Sequence, residues 1–138
     1  MIHLRSLVDA HMDDVLRIQA HCYRDIVPES RASLRAKVLA CPATCFVAEA
    51  PQGVVGYLIA VAVAYPRLPA LGAPRFDRAE DAGTLYLHDL AVAPAGRGTG
   101  AGQAMVRRAF EAGHAQGLRG ACLVGVQDSV RFWGRIGF

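Results

Sequence analysis

The chain has 138 residues, 53% of them hydrophobic, and a formal net charge of +3 at pH 7. That length suits a single domain, 1–138, and its basic residues are scattered among Asp and Glu rather than gathered in a stripe, which argues against nucleic acid as a partner. The longest apolar run, Val54 to Tyr65, is shorter than the roughly 20 residues a membrane span takes, and MIHLRSLVDAHMDD has no basic segment leading into an apolar one, so a cytoplasmic protein is expected.

Ile2–Arg5 reads as a first strand. From Ala10 to Tyr23, Val15, Leu16, Ile18 and Cys22 recur at near-helical spacing behind Asp9 as a cap. Ser30–Ala40 reads as a second helix, with Ser30 as its cap and Leu34, Val38 and Leu39 as its apolar stripe. Cys45–Ala50 and Val54–Tyr65 form a hairpin about Pro51-Gln52-Gly53. Residues 66–83, with Pro66, Pro69 and Pro74, make a long loop of the kind that serves as lid or binding segment, or stays mobile.

Thr84–Val92 is the next strand. Leu85 and Leu87 alternate with Tyr86 and His88, but His88 and Asp89 are adjacent polar residues, and that break in the two-residue period predicts a bulge. After a glycine-rich turn come a helix from about Gly100 to Gln116, a strand at Gly120–Val126 and a short helix at Asp128–Arg135. The order β-α-α-β-β-β-α-β-α defines a mixed α/β (α+β) chain with an antiparallel middle. Its late crossover helix makes 84–92 and 120–126 parallel neighbours.

Cys22, Cys41, Cys45 and Cys122 lack the paired spacing of a zinc site, so they read as reduced thiols in or near the core, and no metal is expected.

The turn places Gly96, Gly98, Gly100 and Gly102 between a strand and a helix. Glycine inside regular structure costs about 0.5–1 kcal/mol relative to alanine, so the cluster needs a reason. A helix N-terminus carries unpaired N–H groups and partial positive charge, and glycines let phosphate oxygens approach them. A Walker loop requires G-K-[ST], and no lysine is present here. A dinucleotide fingerprint requires an acid about 20 positions on, and Gly117 to Val126 contains none.

Val92-Ala93-Pro94 followed by Arg97-Gly98-Thr99-Gly100-Ala101-Gly102 resembles the GNAT superfamily of N-acetyltransferases, whose coenzyme A loop reads [RQ]-x-x-G-x-[GA]. "YLHDLAV" before it and "SVRFWGRIGF" at the end resemble that family's fourth strand and final helix. The resemblance implies a mostly antiparallel twisted sheet flanked by helices, with a β-α-β acetyl-CoA-binding core. Backbone amides at 97–102 would hold the pyrophosphate: Arg97, Gly98, Thr99, Gly100, Ala101 and Gly102. Leu90, Ala91 and Val92 would pair with the pantetheine arm, in a V between the strands 84–92 and 120–126, and Ser129, Phe132 and Trp133 would flank the cofactor.

The activity implied is acetyl transfer to a primary amine of a small molecule, peptide or protein by direct attack. Asp89 or His88 would be the base, with a backbone N–H around Leu90–Val92 for the oxyanion. Arg67, Arg75 and Arg78 of the long loop would meet an anionic part of the acceptor. A homodimer is left open.

Two departures stand out. Trp133 occupies the position where the family has a tyrosine acid, and an indole donates only a hydrogen bond. The chain also stops at Phe138, so the C-terminal strand of that fold is expected to be missing. The tryptophan keeps a second reading open, a non-catalytic acyl-CoA-binding or sensing module.

Overall fold

The computed structural model describes residues 1–24, 27–70, 72–124 and 130–136. Strands β1 (His3–Ser6), β2 (Cys45–Ala50), β3 (Gly53–Val63), β4 (Thr84–Val92) and β5 (Gly120–Leu123) form one sheet in chain order. Neighbours are antiparallel up to β4, and β4 and β5 are parallel. The helices are α1 (Met12–Cys22), α2 (Arg31–Ala40), α3 (Ala101–Ala115) and α4 (Val130–Ile136). The parallel pair follows from α3, because a helix is needed to carry the chain back to the same end of the sheet.

β3 is apolar almost throughout because both of its faces are covered. On one face Leu58 and Ala60 join Leu85 and Leu87 of β4 and Met105, Val106 and Ala109 of α3. On the other, Tyr57 and Ile59 pack with Val15 and Ile18 of α1 and Leu34 and Val38 of α2. Burying each of the larger side chains contributes about 1.5–3 kcal/mol, which holds the helices to the sheet.

Ser30 caps α2 as expected, its Oγ accepting from the Ser33 N–H at 3.1 Å. Asp9 does not cap α1. Residues Asp9–His11 form a 3₁₀ turn ahead of the helix, and the Asp9 carboxylate instead accepts from Arg35 Nε at 3.0 and 3.1 Å. Leu39 is 60% exposed rather than part of the stripe. One step past Val38 turns it out of the interface, and the buried face of α2 is completed by Lys37.

The expected bulge is present. Leu87 lies opposite Ala60 and Asp89 opposite Ile59, leaving His88 as the extra residue of β4. An extra residue reverses the side-chain alternation beyond it. Leu85 and Leu87 therefore face α3, whereas Asp89 reaches Tyr57 and Ala91 joins the core beneath α1 and α2.

Candidate active site

The bulge, the glycine turn, the end of α1 and α4 surround a cavity of about 840 Å³. The four glycines of the turn serve two purposes. Gly98 and Gly100 have φ of +78° and +81°, a left-handed backbone that disfavours other residues, and a Cβ on either would meet nothing within 4 Å. Gly96 and Gly102 are there for packing: a Cβ on Gly96 would come 2.9 Å from Val55 Cγ2, and one on Gly102 3.2 Å from Phe132 Cζ.

Gly100 precedes α3 with no side-chain cap of its own, and of the amides at 97–102 those of Arg97, Thr99 and Ala101 are already taken, by the Pro94 and Gly96 carbonyls and by Thr99 Oγ1. Thr99 shapes the approach, its Oγ1 donating to the Gly96 carbonyl at 2.5 Å and accepting from the Ala101 N–H at 3.3 Å. Arg97, Gly98, Gly100, Ala101, Gly102 and Gln103 all line the cavity. The turn has the open space and the donors that a pyrophosphate requires.

Among the described residues, β4 has an unpaired edge beyond Leu87. Its pairing with β5 ends at Leu87 opposite Leu123. Beyond that point the Leu90 carbonyl accepts from the Tyr23 hydroxyl at 2.6 Å. The Val92 carbonyl accepts from Arg97 Nε at 3.3 Å and the Cys22 thiol at 3.5 Å. These carbonyls point away from β3, whose ladder runs through the alternate residues, as the Ala93 N–H bond of 2.8 Å to the Val55 carbonyl shows. The Leu90 and Val92 carbonyls are thus turned away from β3, each accepting from side chains that an extended ligand would have to replace, while Ala91 is turned toward β3. Phe132 and Trp133 line the opposite wall, packed edge to face at 5.0 Å. Ser129 lies outside the described residues.

His88 and Asp89 both lie on the α1–α2 side of the sheet, as adjacent residues at a bulge do, but in different surroundings. Both residues are partly exposed and both line the cavity; what differs is their side-chain partners. Asp89 Oδ2 accepts from the Tyr57 hydroxyl at 2.7 Å. Burial drives its pKa up to about 6, against the bond from Tyr57, the His88 charge and the bond from Tyr23. Burial and then the Asp89 charge push both tyrosine hydroxyls well above their ordinary range, so they stay protonated.

The His88 side chain is only 3% exposed, with Nε2 2.7 Å from Glu29 Oε1. Its ring stands edge-on to Tyr86 at 5.6 Å, and its buried Nδ1 has no partner among the described residues. Glu29 also accepts from Lys37 Nζ at 2.5 Å and from the Ser33 hydroxyl. Burial alone would raise Glu29, but the bonds and charge of His88, with those of Lys37 and Ser33, hold it at about 2. Gln19 clasps the Glu29 backbone at 3.0 and 3.1 Å.

Tyr23, Tyr57, Glu29 and Lys37 were not singled out by the sequence. The one available signal was the chain's only lysine lying among apolar residues of a helix. The loop 66–83 contributes nothing to the cavity among its described residues. Phe76 and Ala82 pack on the α3-side core, Arg78 donates to Gln116 at the end of α3 at 2.5 Å, and Arg67 pairs with Asp81. The cavity wall next to α1 and α2 is built instead from Tyr23, Val27, Pro28 and Glu29.

A bulged strand whose edge is unpaired beyond Leu87 among the described residues leads through a glycine turn into the start of a helix, the arrangement that the resemblance implied. The sequence matches the Acetyltransferase (GNAT) family over residues 12–138, and the chain belongs to that family. Ard1 from Thermoplasma volcanium superposes with a TM-score of 0.75 at 18% identity, over 99% of this chain and 82% of that one. GphF GNAT-like decarboxylase, solved with isobutyryl-CoA, gives 0.76 at 23% identity over 96% and 71%. A GNAT family acetyltransferase from Brucella melitensis, solved with acetyl-CoA, gives 0.64 at 20% over 97% and 82%. No curated protein matches the sequence.

Proposed function

We propose that this protein transfers an acetyl group from acetyl-CoA to a primary amine of a small molecule, peptide or protein by direct attack. The observation that carries the reading is one cavity holding an uncapped glycine turn, an open β4 edge and the Asp89 carboxylate. Amides at 97–102 hold the pyrophosphate, Leu90 and Val92 pair with the pantetheine arm, and Phe132 and Trp133 flank it. Asp89 is the base: both it and His88 line the cavity, but the His88 side chain is only 3% exposed and its Nε2 is held by Glu29. The backbone N–H groups of Leu90–Val92 are the donors for the oxyanion.

Steady release of free thiol with a panel of amines tests this. Binding of acetyl-CoA without release would favour the second reading, a non-catalytic acyl-CoA module, which Trp133 keeps in play. Trp133→Phe is expected to retain most of kcat, since a free thiolate with a pKa of about 8.5 leaves without a dedicated acid from that position. A folded Trp133→Phe protein that binds acetyl-CoA but does not turn over would contradict this.

Gly100→Asp is expected to abolish coenzyme A binding. It places a negative charge where the pyrophosphate lies and strains a residue at φ +81°. Gly100→Asn bears the same strain without the charge and should retain measurable affinity. Calorimetry showing unchanged affinity for the aspartate variant would rule out the phosphate site.

A further inference from the structure

We propose that Tyr23, Cys22 and Arg97 form a latch on the β4 edge, which the coenzyme A arm has to open in order to bind, an inference that rests on the coenzyme A reading above. Carbonyls on one edge of a strand recur at every second residue. Leu90 and Val92 turn theirs away from β3, and both residues line the cavity while only partly exposed. An unpaired carbonyl in a partly buried place is costly, and an unpaired strand edge invites another chain. Side chains answer both demands here. The Leu90 carbonyl accepts from the Tyr23 hydroxyl at 2.6 Å, and the Val92 carbonyl from Arg97 Nε at 3.3 Å and the Cys22 thiol at 3.5 Å.

The end of α1 supplies two of the three side chains. Cys22 is the last residue of the helix and Tyr23 its cap, with the Tyr23 N–H still bonded to the Gln19 carbonyl at 2.9 Å. Two neighbours on that helix end therefore reach carbonyls two positions apart on β4. The three bonds differ in strength. The hydroxyl bond is short, the bond from the exposed Arg97 is longer than the usual range, and a thiol is a weak donor. Tyr23 is the main fastening.

A ligand arm that adds to this edge as a strand brings its own N–H to the same oxygens from the same open side. The arm and the latch therefore compete, and part of the arm's binding free energy goes into releasing Tyr23 from Leu90. The pyrophosphate belongs to the glycine turn, so a ligand that carries it without the arm leaves the Tyr23 bond closed. The latch thus lowers affinity for the whole cofactor and leaves the phosphate end untouched.

Calorimetry on the full chain, wild type against Tyr23→Phe, tests the latch with two ligands, coenzyme A and ADP, which has the pyrophosphate without the arm. Tyr23→Phe should bind coenzyme A about 2- to 10-fold tighter, because no bond to Leu90 has to be broken. It should bind ADP as the wild type does. Equal or weaker coenzyme A binding by the variant overturns the latch, and so does a gain that ADP shares. The wild type provides a second readout that needs no substitution. The NMR signals of the Tyr23 ring should shift when coenzyme A is added and hold still when ADP is added. Ring signals that coenzyme A leaves in place also overturn the latch. Wild-type protein with no affinity for coenzyme A would sink the cofactor reading and the latch with it.

Discussion

Asp89→Asn is expected to lower kcat by about 10²–10⁴-fold, the loss typical of removing a positioned base. The substitution is nearly isosteric, and the Tyr57 hydroxyl can still donate to the amide oxygen, so the bulge should persist. The wild-type rate at saturating amine should rise with pH through about 6, because only the ionised carboxylate accepts a proton. The groups facing Asp89 are the Tyr57 and Tyr23 hydroxyls, which stay protonated, together with His88 and Glu29. In the asparagine variant that acid limb should vanish. Stability should move the opposite way. A carboxyl whose folded pKa is raised favours the protonated fold, so its ionisation weakens the protein as pH climbs from about 4 toward 6. The variant should therefore unfold at higher urea than wild type at pH 7. A variant with full rate at saturating amine would place the base elsewhere or leave the step to water.

Lys37→Ala is expected to cost about 3–5 kcal/mol of folding stability, a large share of the 5–15 typical of a domain. Lys37 is completely buried, and Glu29, paired with it at 2.5 Å, is 2% exposed and held ionised. Removing the ammonium strands a carboxylate in the core with His88 and Ser33 as its remaining partners. Changing both members, as Glu29→Gln with Lys37→Met, should cost less than the two single changes together, because no uncompensated charge is left behind. Glu29 also sets a pH window for the wild-type protein. Its pKa is depressed from 4.5 to about 2, so its stabilisation is complete above 4.5 and disappears as pH falls toward 2. Urea midpoints of the four proteins at neutral pH give the cycle. A Lys37→Ala loss below about 1 kcal/mol would mean that the buried pair contributes little.

Much of the architecture was legible in the chain, because its signals are local. Periodicity placed the helices and strands, Ser30 marked a cap, and the crossover helix required β4 and β5 to run parallel. The glycine turn announced itself by backbone chemistry, although only the structure separated Gly98 and Gly100, needed for a left-handed backbone, from Gly96 and Gly102, needed for close packing. The two adjacent polar residues predicted the bulge, because a two-residue period cannot hold both without an extra residue.

How each of those two is held was a different kind of question. The His88 imidazole is held by a carboxylate 59 positions earlier. Asp89 is held by a tyrosine 32 positions away across β3. The same distance in sequence hid Tyr23, which reaches Leu90 across 67 residues, and Lys37, whose burial is tolerable only because Glu29 pairs with it. The sequence by itself determined the elements, their order and the glycine turn, since each depends on residues within a few positions of one another. Only the tertiary structure decided which polar groups are buried, which are paired and which are left facing the cavity, because the free energy of a buried charge is set by partners that the fold brings from far along the chain.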